Sequence, residues 1–125
     1  MKQFDVTVEN KIGALSELCD ALARGAINIK AISTDSRNGH GLVRLVTEDH
    51  NTAKEMLQKA NMRFNESEIL AVKLLDRPGE LAKATKLLTR AKVNIESVFL
   101  LGVDGEYKEV AFKVDDMEKA KGVLK

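Results

Sequence analysis

The chain has 125 residues, 44% of them hydrophobic and 31% charged, with 20 lysines and arginines against 19 aspartates and glutamates. A net charge of +1, with neither half of the chain strongly basic, argues against a phosphate-backbone footprint and therefore against a nucleic-acid partner. One cysteine excludes an intramolecular disulfide framework, and no apolar run approaches the ~20 residues of a membrane span, so no membrane partner is expected and the expected compartment is cytoplasmic.

Taken in order, the elements begin with Phe4, Val6 and Val8 alternating with Asp5, Thr7 and Glu9, the period of a half-buried strand. A glycine-containing loop follows, and then Leu15, Leu18, Cys19 and Leu22 recur at helical spacing. Gly25 is placed to close that helix in the left-handed conformation. A strand over about 28–36 runs into Asn38-Gly39, a pair that accepts positive φ in a tight hairpin, and a returning strand occupies 42–47. Ala53, Met56, Leu57 and Ala60 mark a second helix, and 62–66 supplies a closing strand.

The pattern then starts again. Asn10-Lys11-Ile12-Gly13-Ala14-Leu15 is echoed by Asp76-Arg77-Pro78-Gly79-Glu80-Leu81 at a spacing of 66 residues (79 − 13), and Ile27-Asn28-Ile29 by Val93-Asn94-Ile95. The continuous run Ile69 to Leu75 reads as a more buried first strand, and Leu81, Ala84, Leu88 and Ala91 as its helix. Strands over 94–102 and 109–114 flank Asp104-Gly105, and Met117, Ala120, Val123 and Leu124 form a last helix that Asp115-Asp116 is placed to cap. Beyond the hairpin the register slips by one or two residues. A repeat accounts for these coincidences. The expected fold class is α+β: two βαββαβ ferredoxin-like units in tandem, over 1–68 and 69–125, each an antiparallel sheet with helices on one face. The second unit lacks its last strand in this sequence. Truncation is the preferred explanation, and a partner strand completing the sheet is the other.

The segment Asp76 to Leu81, followed by a helix and by Val93-Asn94-Ile95, resembles the hallmark of an ACT domain, and the whole chain resembles the small prokaryotic proteins built from two of them. The first copy departs from the pattern in carrying Ile12 where proline is expected. The resemblance implies a four-stranded antiparallel sheet per unit, association of neighbouring ACT sheets into a homodimer or higher homo-oligomer, and binding of an amino acid at the interface. Physical reasoning supplies a mechanism. A glycine where a strand turns into a helix leaves backbone N–H groups facing outward, a cradle for an α-carboxylate. Asn10 or Asp76 offers oxygen to an α-ammonium group, and the resemblance places Asn28 and Asn94 against the ligand as well. The ligand-binding set is therefore expected to be Asn10, Ile12, Gly13, Ala14, Leu15 and Asn28 in the first copy. In the second it is Asp76, Arg77, Pro78, Gly79, Glu80, Leu81 and Asn94. Of the two loops the second follows the motif better and is the preferred binder. Asn28 and Asn94 are expected to begin a strand lying beside the first one.

No catalytic or metal site is expected. His40 and His50 have no partners at metal-ligand spacing, Cys19 lies on the apolar helical stripe, and no glycine-rich phosphate loop occurs, so no cofactor is expected either. An RNA-binding domain of similar topology would need paired aromatics on its strands, and Phe99, Tyr107 and Phe112 are too scattered to provide them. The expected function is a non-enzymatic sensor of a small amino acid that regulates amino-acid metabolism. The alternative is a scaffold of the same fold, retained for dimerisation or for contacting a biosynthetic enzyme, with empty sites.

Overall fold

The computed structural model of the protein describes residues 1–124, the side chain of Arg37 excepted, so that Lys125, the last residue of the expected second unit, lies outside the described residues. The chain divides into two compact units, Met1–Ser67 and Glu68–Lys125. The first contains β1 (Lys2–Glu9), α1 (Ala14–Arg24), β2 (Ile29–Arg37), β3 (His40–Thr47), α2 (His50–Lys59) and β4 (Arg63–Glu68). The second contains β5 (Leu70–Leu75), α3 (Glu80–Arg90), β6 (Ile95–Asp104), β7 (Tyr107–Val114) and α4 (Met117–Val123). Sheet order is β2-β3-β1-β4 in one unit and β5-β7-β6 in the other. The four-stranded sheet is that of a complete βαββαβ unit, and the described residues of the second repeat its first five elements.

Each unit buries its own core. In the first, Phe4 and Val6 of β1 and Val43 and Leu45 of β3 pack beneath Leu18 and Leu22 of α1 and Ala53 and Leu57 of α2, all fully buried. Phe64 of β4 sets its ring edge-on to Phe4, centroids 5.6 Å apart, in the T-shaped arrangement that aromatic quadrupoles favour. In the second, Val110 and Phe112 of β7 lie under Ala84, Leu88, Ala120 and Leu124. The helices form because their apolar residues recur every three or four positions, and α2 and α4 start at Asp49 and Asp116, whose carboxylates accept the backbone N–H of Thr52 and Lys119 at 3.1 Å.

Three local expectations are corrected. Gly25 does not take the left-handed conformation: its φ is −92°, and Ala26 turns the chain instead at φ 53°. Ala91 and Lys92 repeat this in the second copy, with φ of −82° and 60°. The glycine serves close packing, since a Cβ at Gly25 would lie 2.7 Å from Met56 Cγ of α2. The second hairpin turns through Gly105-Glu106, because Asp104 still pairs with Tyr107, whereas Asn38-Gly39 turns the first between Arg37 and His40. A β-bulge between Leu100 and Gly102 inserts the extra residue, so the repeat spacing has become 67 (110 − 43) by the time Val43 is matched to Val110. Finally, β2 lies beside β3 and is separated from β1 by it, and not next to β1 as the sequence suggested.

Candidate functional site

The two strand-to-helix loops fold alike. Lys11 N–H donates to Glu9 carbonyl and Arg77 N–H to Leu75 carbonyl, both at 3.0 Å; Ala14 N–H then reaches Lys11 carbonyl at 3.3 Å and Glu80 N–H reaches Arg77 carbonyl at 3.4 Å. Gly13 at φ 91° and Gly79 at φ 86° provide the left-handed turn into α1 and α3, a conformation that costs a residue with a Cβ about 1–2 kcal/mol. Neither helix start is capped by a side chain, in contrast to the aspartate caps of α2 and α4. Ala14 N–H and Glu80 N–H are taken by the loop carbonyls, so the first-turn N–H groups after them are the ones that keep their positive partial charge available to an anion.

The first loop adjoins a cavity of about 210 Å³. Asn10, Lys11, Ala14 and Leu15 form one wall, and the opposite wall comes from Thr34, Asp35 and Ser36 of β2 with Gly41 of β3. A second cavity of about 400 Å³ lies against Lys11, Ala14 and Glu17 and extends to His40 and the turn Ala60–Arg63. Of the expected first-copy residues, Asn10, Ala14 and Leu15 are thus brought together, Gly13 sits at the helix start between them, and Ile12 stands at the loop with its side chain fully exposed.

At the second loop the charged residues are engaged with one another. Glu80 Oε1 accepts from Arg77 Nε at 2.7 Å and from Lys83 Nζ at 3.4 Å, with its side chain only 12% exposed. Glu80 and Lys83 edge a groove of about 200 Å³ whose remaining wall is largely apolar, from Val72, Leu74, Leu87, Val123 and Leu124. The hydrogen bond from Arg77, and secondarily that from Lys83, holds the Glu80 carboxyl below the usual carboxylate range. A carboxylate so depressed contributes stability that is fully present above its unfolded value and lost as pH falls through its folded value. The Tm advantage of the native chain over Glu80→Gln should therefore hold at about pH 6 and shrink as pH falls below the usual carboxylate range in a pH series of thermal melts. An advantage unchanged into acid would show that the ionised group is not its source.

Asn28 and Asn94 are not at the loops. Asn28 lies where β3 ends: its Nδ2 donates to Glu48 Oε1 at 3.3 Å, and its carbonyl accepts from Glu48 N–H at 3.3 Å. Asn94 does the equivalent with Asp115, donating its N–H to Oδ1 at 2.9 Å and accepting from Asp115 N–H at 3.1 Å. The Asn10 loop leaves the other end of the sheet, where Glu9 pairs with His40, and Asp76 N–H bonds Glu106 carbonyl at the matching end of β7. Gly41 to Thr47 spans that separation, roughly 20 Å of strand. One small ligand cannot touch both the loop and the asparagine of a single unit. The sequence reading also passed over Thr34, Ser36 and Gly41. The run Ser33 to Ser36 shows the polarity, but only the strand pairing shows which of these residues stand beneath the loop.

Among the described residues, no cluster of His, Cys, Asp and Glu is arranged to hold a metal ion, and no helix is long and apolar enough to cross a membrane. Over residues 1–125 the chain matches the family described as an ACT domain pair. No curated protein sequence matches it. Among solved structures, protein BT0572 from Bacteroides thetaiotaomicron is 27% identical with a TM-score of 0.90, over 98% of this chain and 85% of that one. The regulatory subunits of aspartate kinase from Thermus thermophilus and Thermus flavus share the fold, with TM-scores of 0.71 and 0.64 at 16% and 17% identity; each likeness covers 98% of this chain and 86% of theirs.

Proposed function

The chain belongs to the ACT domain-pair family, and from that premise we propose that it is a cytoplasmic, non-catalytic regulator that binds an amino acid at interfaces between ACT units and so modulates amino-acid metabolism. The observation that carries this reading is the first loop: an uncapped helix start behind Gly13, opening on a cavity of about 210 Å³ with Asn10 on its wall. The α-carboxylate lies on the N–H groups of the first turn of α1, and Asn10 accepts from the α-ammonium group. The second loop, Asp76 to Leu81, is built to the same plan, and its Arg77 is engaged by Glu80 as Lys11 is engaged by Glu9 in the first. The cavity against Asn10, Ala14 and Leu15 makes the first loop the candidate of the two. Asn28 or Asn94 joins such a site only if loop and asparagine come from different units, because each unit holds its own pair at opposite ends of its sheet. Association of chains, at least to a homodimer, is one way to supply such a pair of units, and it gives the ligand a means of control: a molecule held by two units stabilises their assembly over their separation. A biosynthetic enzyme is the kind of partner through which that change is read.

A thermal-shift screen of the full chain against each of the twenty amino acids separates this from the scaffold alternative. At least one should raise the midpoint, by an amount that grows with concentration as linkage requires. No shift with any of the twenty, together with no heat on calorimetric titration, would leave the scaffold reading in its place.

A further inference from the structure

The residues directly opposite one another in an antiparallel ladder share a face of the sheet. In the first unit Val6 pairs with Val43 and Val43 with Thr34; Val8 pairs with Gly41 and Gly41 with Ser36. Val6 and Val43 belong to the core under the helices, so Thr34 and Ser36 stand on the helix side, beneath the first loop. Gly41 keeps that floor low: a Cβ there would come within 2.8 Å of Val8 Cγ2. In the second unit the same two rungs read Val72-Val110-Leu100 and Leu74-Lys108-Val103. The bulge between Leu100 and Gly102 brings Val103, and not Gly102, to the place of Ser36. Leu100 and Val103 are each 59% exposed, so an apolar floor replaces the hydroxyl-bearing one.

We infer that Thr34 and Ser36 set the ligand preference of the first unit, and that this site selects an amino acid with a small neutral polar side chain, of the kind carried by serine, threonine and asparagine. The inference rests on the amino-acid-sensing reading above and specifies its ligand class. Each hydroxyl both donates and accepts, so the pair serves a hydroxyl or amide side chain in either sense, while an aliphatic one leaves both hydroxyls without return. The cavity of about 210 Å³ has room for a small amino acid.

The test replaces the two floor residues by those of the second unit, Thr34→Leu with Ser36→Val, in the full chain, and compares calorimetric titrations with serine, threonine, asparagine, valine, leucine and isoleucine. The unmodified chain should bind at least one of the first three about tenfold or more tightly than any of the last three, and the double variant should lose or reverse that order. The hydroxyl-retaining exchange of Thr34→Ser with Ser36→Thr should preserve it, which separates a preference set by hydroxyls from a general disturbance of the loop. Tighter binding of an aliphatic amino acid by the unmodified chain overturns the inference, as does an order that survives the Leu and Val replacements. Either result leaves amino-acid sensing standing, whereas binding of none of the twenty amino acids removes both.

Discussion

Truncating Phe112 to alanine should destabilise the second unit by about 3–5 kcal/mol, the range measured when a fully buried phenylalanine is deleted. Its ring is wholly buried on the central strand of the three described in this unit. It packs with Leu88 of α3 and with Ala120 and Leu124 beneath α4, so both helices lose part of their footing when the ring is removed. The unit spans Glu68–Lys125, and domains of that size are stable by only a few kcal/mol. The loss is therefore comparable to the whole stability of the unit, and the expected readout is a substantial loss of helical circular dichroism in dilute urea. Phe112→Leu, which keeps most of the apolar volume, should be much milder. A Phe112→Ala chain that unfolds within about 1 kcal/mol of the native one would show that the ring does not organise this core.

The second large effect is expected at Gly13. Replacement by valine should lower stability by about 1–2 kcal/mol or more and abolish ligand-induced stabilisation. The cause is conformational. At φ 91° a β-branched side chain is strongly disfavoured, although a Cβ there would meet no heavy atom within 4 Å. Relief comes by rotating the loop, which turns the first-turn N–H groups of α1 away from the ligand position. Thermal melts of Gly13→Val with and without the best amino acid from the screen check both parts. A variant that is destabilised yet still gains its full ligand shift would move the site away from this loop.

Much of this architecture was legible in the sequence because it depends on local chemistry. Period-two alternation in Phe4, Val6 and Val8 marks a strand in any context, and Asn38-Gly39 marks a hairpin because few residue pairs accept two successive positive φ values; the structure has them at 49° and 78°. The internal repeat made most readings double ones, so the weak signal of the last helix was placed by its echo of the helix at Ala53 to Ala60. What stayed hidden depends on distance in space. Gly25 was assigned to a left-handed cap because its other requirement, the approach of Met56, arises only when α2 packs against α1. The Asp104-Gly105 turn was misplaced by one residue because a bulge leaves no mark on composition. Asn28 and Asn94 follow their glycines at equal sequence spacing, yet that spacing runs down a helix to the far end of the sheet. The loop glycines and Asn10 were found from the motif, whereas Thr34 and Ser36 entered only through the ladder that sets them under it.

The most direct measurement is an amide chemical-shift map of the full chain titrated with the amino acid that gives the largest thermal shift. Carboxylate binding at the first loop predicts saturable shifts centred on the amides of Gly13, Ala14 and Leu15, with Thr34 and Ser36 responding across the cavity. Saturable binding that leaves those five amides unmoved would contradict the account.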